Sequence, residues 1–218
     1  MPRWATFDCY GTLIDWNGGI RAVLEQTFGH ERGEELLARY HEVEPELQSG
    51  DLHHSYREVL TLALERLALE QGVDLARPGA LAESLPSWAA FPEVRPALEA
   101  LRDRGWRLAI LSNTDRDLIE ASQRQIGVQF DRVLTAEDVG SYKPAHAHWD
   151  AFFEQSGAVR DQHVHVGASL FHDGRPAREL GLRFVWVNRL GEQGDVELDR
   201  ELTDLRALPD TLDELVPA

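Results

Sequence analysis

An α/β fold, with a mainly parallel sheet and a helical cap inserted after the first strand, is predicted by three observations in this chain. One short apolar strand stands alone near the N-terminus, at Trp4 to Asp8. Residues 16–87 then carry helical spacing without a strand signal. From residue 88 onward apolar runs of strand length alternate with helix-period segments. Alternation of that kind makes a parallel sheet covered on both faces by helices. The predicted division is a core of residues 1–15 and 88–218 and a cap of residues 16–87.

The first strand is apolar and bounded by Pro2 and Gly11. In the cap, "IRAVLEQTF", "GEELLARYHEVEPEL" and "SYREVLTLALERLALEQG" read as helices, punctuated by Gly50, Gly72 and "RPGA". The third shows the clearest stripe, with Val59, Leu60, Ala63, Leu64 and Leu67 on one face. In the core, "EVRPALEALRDRG" is a predicted helix and "WRLAILSN" a strand ending in small polar residues. "TDRDLIEASQRQIG" follows as a helix, with Thr114 or Asn113 as its N-cap. Then come a short strand in "DRVLTAEDVG", a helix in "AHAHWDAFFEQSG", the strand "HVHVGAS", the helix "GRPARELG" and the strand "RFVWVNR". The glycines of "DWNGG" suit a hinge between core and cap.

With 218 residues and 43% apolar content, the chain has room for one sizeable core and a smaller appended unit. A formal charge of −16, spread along the chain, argues against nucleic-acid or anionic-membrane binding, which needs basic patches. No apolar run reaches bilayer length, and "MPRWATFD" lacks the features of a signal peptide, so a cytoplasmic protein is expected. The single cysteine, Cys9, excludes an internal disulfide and a cysteine-rich metal site, and it reads as a small apolar residue in a strand. The histidine pairs His53/His54, His146/His148 and His163/His165 offer no third ligand nearby and read as surface or core histidines.

Ligands of open parallel sheets bind beyond the carboxyl ends of the strands. The residues standing there are Asp8 after the first strand, Ser112 and Asn113 after the second, Lys143 in "GSYKPA", and Asp173 in "GASLFHDG". In this order "FDCYGTL", "LSNTD", "YKPA" and "VGASLFHDGRPARELGLRFVWVNR" resemble the four motifs of the haloacid dehalogenase superfamily of hydrolases. The resemblance covers nearly the whole chain and implies a Rossmann-like core. It further implies Asp8 as a nucleophile that forms a covalent intermediate, hydrolysed afterwards by water. By the same resemblance Ser112 and neighbouring N–H groups would hold a substrate anion, and Lys143 would neutralise developing charge. Asp173 would fix Lys143 or position water, and Thr12 would orient the Asp8 carboxylate.

Phosphatases of the superfamily carry a second aspartate two positions after the nucleophile, where this chain has Tyr10, and an aspartate where it has Ala168. Magnesium would then be left with Asp8 and Asp173 alone, and would be held weakly. The chain is similar instead to the 2-haloacid dehalogenase branch, whose first motif is Asp-x-Tyr-Gly-Thr, and which implies no required cofactor. Halide departs as a stable anion and needs no proton. That branch also implies a cap arginine, Arg39, binding halide or carboxylate beside Tyr10, Thr12, Ser112 and Asn113, and an aromatic counterpart in Trp149. Serine and asparagine residues that place the hydrolytic water in the branch are replaced by Ala168 and Leu170, with Ser169 retained and His172 added. The expected activity is hydrolysis of a small anionic 2-haloalkanoic acid, by a monomer or homodimer. A magnesium-dependent phosphatase and a catalytically impaired binding protein are the alternatives.

Overall fold

The computed structural model describes residues 1–49 and 54–218, so Gly50 and His53 lie outside the described residues. Six strands form one sheet in the order β3-β2-β1-β4-β5-β6, and every pairing is parallel. The strands are β1 (Arg3–Phe7), β2 (Trp106–Ser112), β3 (Arg132–Thr135), β4 (His163–Gly167), β5 (Arg183–Val187) and β6 (Arg200–Leu202). The chain steps outward from β1 to β3, then returns to lay β4 on the opposite side of β1. That reversal opens a crevice above the ends of β1 and β4, where ligands of such sheets bind.

After β1 come, among the described residues, the helices α1 (Trp16–Phe28), α2 (Gly33–Gln48), α3 (Tyr56–Gln71) and α4 (Ala80–Ser84), ahead of a fifth that leads into β2. The remaining helices are α5 (Val94–Asp103), α6 (Arg116–Ile126), α7 (Ala136–Val139), α8 (Ala147–Ser156), α9 (Arg175–Glu179) and α10 (Leu208–Leu215). One apolar cluster joins the inserted helices to the sheet through residues such as Ile14, Leu60, Leu64, Trp88 and Ile110. A second, with Trp4, Trp149, Phe152 and Phe184, fills the other face. Among the described residues, no helix is long and apolar enough to cross a membrane.

Several sequence expectations are corrected. Gly18 and Gly19 form the first turn of α1 and not a hinge loop. A Cβ on Gly19 would overlap the indole of Trp88, so this glycine permits a close approach of α1 to the chain entering α5. The N-cap of α6 is Asp115, not Thr114 or Asn113, and its carboxylate serves a different helix. Its two oxygens accept the backbone N–H groups of Tyr56 and Arg57 at 2.9 Å each, satisfying the orphan donors at the start of α3. This contact fastens α3 to the sheet side of the molecule. Strand β6 and helix α10 had no sequence signal; three residues and eight residues are short runs for periodicity to resolve.

Candidate active site

Asp8 follows β1 directly, and its N–H still bonds to Val166 O at 2.9 Å, so the sheet fixes its backbone. Each carboxylate oxygen has a separate donor. Thr12 Oγ1 donates to Oδ2 at 2.7 Å, and Lys143 Nζ donates to Oδ1 at 2.9 Å. Ala168 N–H donates in turn to Thr12 Oγ1 at 2.9 Å, which turns the threonine hydroxyl toward the acid.

The Lys143 ammonium is buried and fully engaged, donating also to Asp173 Oδ1 at 2.7 Å and to Leu111 O at 2.9 Å. Burial alone would lower its pKa, but the charges of Asp173 and Asp8 outweigh that and hold it above the ordinary value. Burial would likewise raise Asp173, and Lys143 together with His165 instead keeps its carboxyl well below the usual carboxylate range. Asp173 approaches the sheet closely because residue 167 is glycine, where a Cβ would meet the Asp173 carboxyl at 2.7–2.8 Å.

A buried chain of hydrogen bonds supports Asp173 from below. His165 Nε2 donates to Asp173 Oδ1 at 3.1 Å, Thr6 Oγ1 donates to His165 Nδ1 at 2.8 Å, and His163 Nε2 donates to Thr6 at 2.8 Å. With Asp173 ionised, this order of protons gives every bond one donor. His163 and His165 share one face of β4 and are buried core histidines, His165 bonded through both ring nitrogens and His163, among the described residues, through Nε2 alone. His148 donates to Ser112 O at 3.2 Å, and burial followed by the Lys143 charge lowers its pKa to about 3. His146 pairs with Glu179 at 2.7 Å on the exterior.

Above this base lies a cavity of about 590 Å³. Asp8, Tyr10, Ser112, Asn113, Lys143 and Asp173 all line it. The Ser112 hydroxyl is buried without a partner among the described residues. Asn113 grips the backbone of Lys143. Its Oδ1 accepts Lys143 N–H at 2.6 Å and its Nδ2 donates to Lys143 O at 3.0 Å. Tyr10 stacks on Tyr56 at 5.9 Å and meets Trp88 edge-on at 6.2 Å. Ser122 gives its hydroxyl hydrogen to Leu118 O, so Tyr10 donates to Ser122 at 3.0 Å and directs its proton into α6.

Arg39 is not brought to this cavity. It lies on the far side of α2, paired with Glu70 at 2.8 Å and Glu42 at 2.6 Å. The α2 residues that do reach the cavity are His41, Glu44, Pro45 and Gln48, a stripe at helical spacing. Two residues along a helix turn the side chain by about 200°, so Arg39 faces away when His41 faces in. Trp149 is likewise absent from the cavity, packed edge-on against His165 in the core. Trp16 does line the cavity, stacked on His41 at 5.1 Å, with Nε1 donating to Tyr56 OH at 2.9 Å.

Sequence reasoning missed His41, Glu44 and Gln48, along with Arg21, Arg189 and Phe91. Glu44 is 6% exposed, accepts from Gln48 Nε2 at 2.5 Å, and burial pushes its carboxyl up to about 8. Arg189 sits over the Phe91 ring at 3.7 Å and donates to Glu93 and Thr12 O. His172 lines the cavity beside Asp173, and burial lowers its pKa, favouring the neutral imidazole.

A divalent cation does not fit these residues. Asp8 and Asp173 are already bridged by a buried ammonium, and Ala168 adds no oxygen ligand. Among the described residues, no group of three or more histidine, cysteine or acidic side chains could hold a metal.

A family model described as haloacid dehalogenase-like hydrolase matches residues 2–181. The chain is therefore a hydrolase with an α/β fold, its candidate site lying at the carboxyl ends of a parallel sheet. It belongs to the haloacid dehalogenase-like hydrolases. An (S)-2-haloacid dehalogenase of Pseudomonas sp. (strain YL) is 31% identical, over 93% of this chain and 90% of that protein. Haloacetate dehalogenase H-2 of Moraxella sp. (strain B) is 30% identical, over 85% of each. The crystal structure of the L-2-haloacid dehalogenase RSc1362 superposes with a TM-score of 0.86 at 27% identity, covering 97% of this chain and 99% of that one. The sequence resemblance to the 2-haloacid dehalogenase branch agrees with these relatives.

Proposed function

We propose that this hydrolase displaces halide from a small 2-haloalkanoic acid through an ester on Asp8, with residues 16–87 closing as a cap over a core of residues 1–15 and 88–218. An Asp8 oxygen attacks the halogen-bearing carbon, the carbon–halogen bond breaks, and halide leaves with the electron pair. Water then hydrolyses the ester to a 2-hydroxy acid and restores the carboxylate. Lys143 and Thr12 hold the carboxylate in one orientation for attack. The unpartnered Ser112 hydroxyl binds the substrate carboxylate, with Arg21 and Arg189 adding positive charge around the cavity, while Lys143 neutralises the charge on Asp8. Asn113 acts by holding Lys143 in place.

The observation that carries this reading is Tyr10, whose only hydroxyl proton is committed to Ser122. The position two residues beyond the nucleophile therefore has no proton for an alkoxide, and a halide needs none. A phosphate ester would lack both that proton and a divalent metal cation for its oxygens. Halide release from chloroacetate and 2-chloropropionate, measured with and without EDTA, tests the reading. Release insensitive to EDTA and abolished in a folded Asp8→Asn variant is expected; release from neither substrate overturns it.

A further inference from the structure

The residues "ASLFHD" leave the second half of the proposed reaction without the serine and asparagine that the resembling enzymes offer to water. Ala168 and Leu170 bring no polar side chain. Asp173 is a weak base although its Oδ2 has no partner among the described residues, because Lys143 and His165 both donate to Oδ1 and hold the carboxyl well below the usual carboxylate range. A second polar side chain of the same segment, His172, also lines the cavity.

Leu170–Gly174 forms a single π-helical turn, closed by Gly174 N–H to Ser169 O at 3.2 Å. Turns of this kind push one side chain out of the regular helical path and recur at functional sites. Ser169 caps the turn, its Oγ accepting the His172 N–H at 3.1 Å. The same Oγ lies 3.1 Å from His172 Nδ1, so backbone and ring of His172 are both fixed by one hydroxyl. Phe171 packs edge-on against the ring, with centroids 4.9 Å apart. Nε2 has no protein partner among the described residues, and His172 lines the cavity that also holds Asp8 and Asp173.

Resting on the dehalogenase reading, we propose that His172 is the catalytic residue for ester hydrolysis, holding the water at Nε2 and taking its proton. Nδ1–H donates to Ser169 Oγ, which leaves the Nε2 lone pair for the water. Water oxygen adds to the Asp8 ester carbonyl as its proton passes to Nε2. The tetrahedral intermediate then expels the 2-hydroxy acid alkoxide, which takes the proton from His172. The carboxylic acid left on Asp8 ionises beside Lys143 and releases one proton to solvent. Each turnover thus consumes one water and leaves His172 neutral.

Rapid-quench kinetics of His172→Ala with 2-chloropropionate separate the two halves of the reaction. The first turnover should release halide at the wild-type rate, while steady-state turnover falls by about 10²-fold or more, the usual contribution of a positioned base. The ester should accumulate by intact-protein mass, and added imidazole should restore part of the lost rate. His172→Gln, which keeps the shape but not the base, should behave like the alanine variant and melt near the wild type. Unchanged steady-state turnover in either variant overturns the proposal. So does loss of the first halide burst in a protein that melts normally. If the wild type itself releases no halide, the dehalogenase reading falls and this inference with it.

Discussion

Lys143 Nζ stands 2.9 Å from Asp8 Oδ1 and 2.7 Å from Asp173 Oδ1, in a setting where its own side chain is 1% exposed. One buried ammonium thus compensates two carboxylates, of which Asp173 is fully buried and Asp8 faces the cavity. Removing one partner of a buried ionic group costs about 3–5 kcal/mol, because the remaining charge is left uncompensated. Lys143→Met should lose stability of that order in urea unfolding and release no halide. The acid dependence follows from Asp173. Its pKa is lower folded than unfolded, so its contribution is present above the unfolded value of about 3.9 and is lost as pH falls below it. Unfolding free energy measured from pH 6 down to pH 3 should fall more steeply for the wild type than for Asp173→Asn.

Glu44 behaves in the opposite sense. Its carboxyl is raised to about 8 by burial, so the neutral acid predominates at neutral pH and a negative charge enters the cavity as pH rises through that value. The KM for 2-chloropropionate should rise between pH 7 and pH 9 as this charge repels the substrate anion. In Glu44→Gln the rise should be much smaller. Folding should show the same sign: stability is highest at low pH for this group and declines toward pH 8.

Tyr10 bears on the chemistry of the leaving group. Tyr10→Phe loses one hydrogen bond to Ser122 and should cost about 1 kcal/mol, with halide release within a few-fold of the wild type. Tyr10→Asp would place a carboxylate between Tyr56 and Trp88. Truncating an aromatic in such a setting costs about 3–5 kcal/mol, so this variant should melt far lower and hydrolyse no 4-nitrophenyl phosphate.

Arg39→Gln separates position in the sequence from position in the fold. Its guanidinium pairs with Glu70 and Glu42 away from the cavity. Both kcat and KM should stay within twofold of the wild type, with little change in melting temperature. A tenfold loss in kcat/KM would return Arg39 to the site.

Asp8, Thr12, Ser112, Lys143 and Asp173 were legible in the sequence because each stands just past a strand or in a turn, where the ends of a parallel sheet gather residues distant in the chain. The strands carrying them were readable from short apolar runs. The α2 wall of the cavity was not. Glu44 and Gln48 look like ordinary solvated residues of an amphipathic helix, and only the packing of α2 against α1 and α3 turns that stripe toward the cavity. Arg39 failed for the same reason: its partner Glu70 lies on α3, thirty-one residues away, and periodicity identifies a helix face without saying what it meets. Asp115 was unreadable as a cap for α3 because it lies in a different element from the helix it serves.

An ester on Asp8 is the intermediate on which the whole mechanism depends. Wild-type protein quenched in acid during turnover of 2-chloropropionate, digested and analysed by mass spectrometry, should carry a lactyl adduct on the peptide containing Asp8. The adduct should be absent from Asp8→Asn and from protein never exposed to substrate. Halide release at full rate, with no adduct at any quench time in either wild type or His172→Ala, would contradict the mechanism.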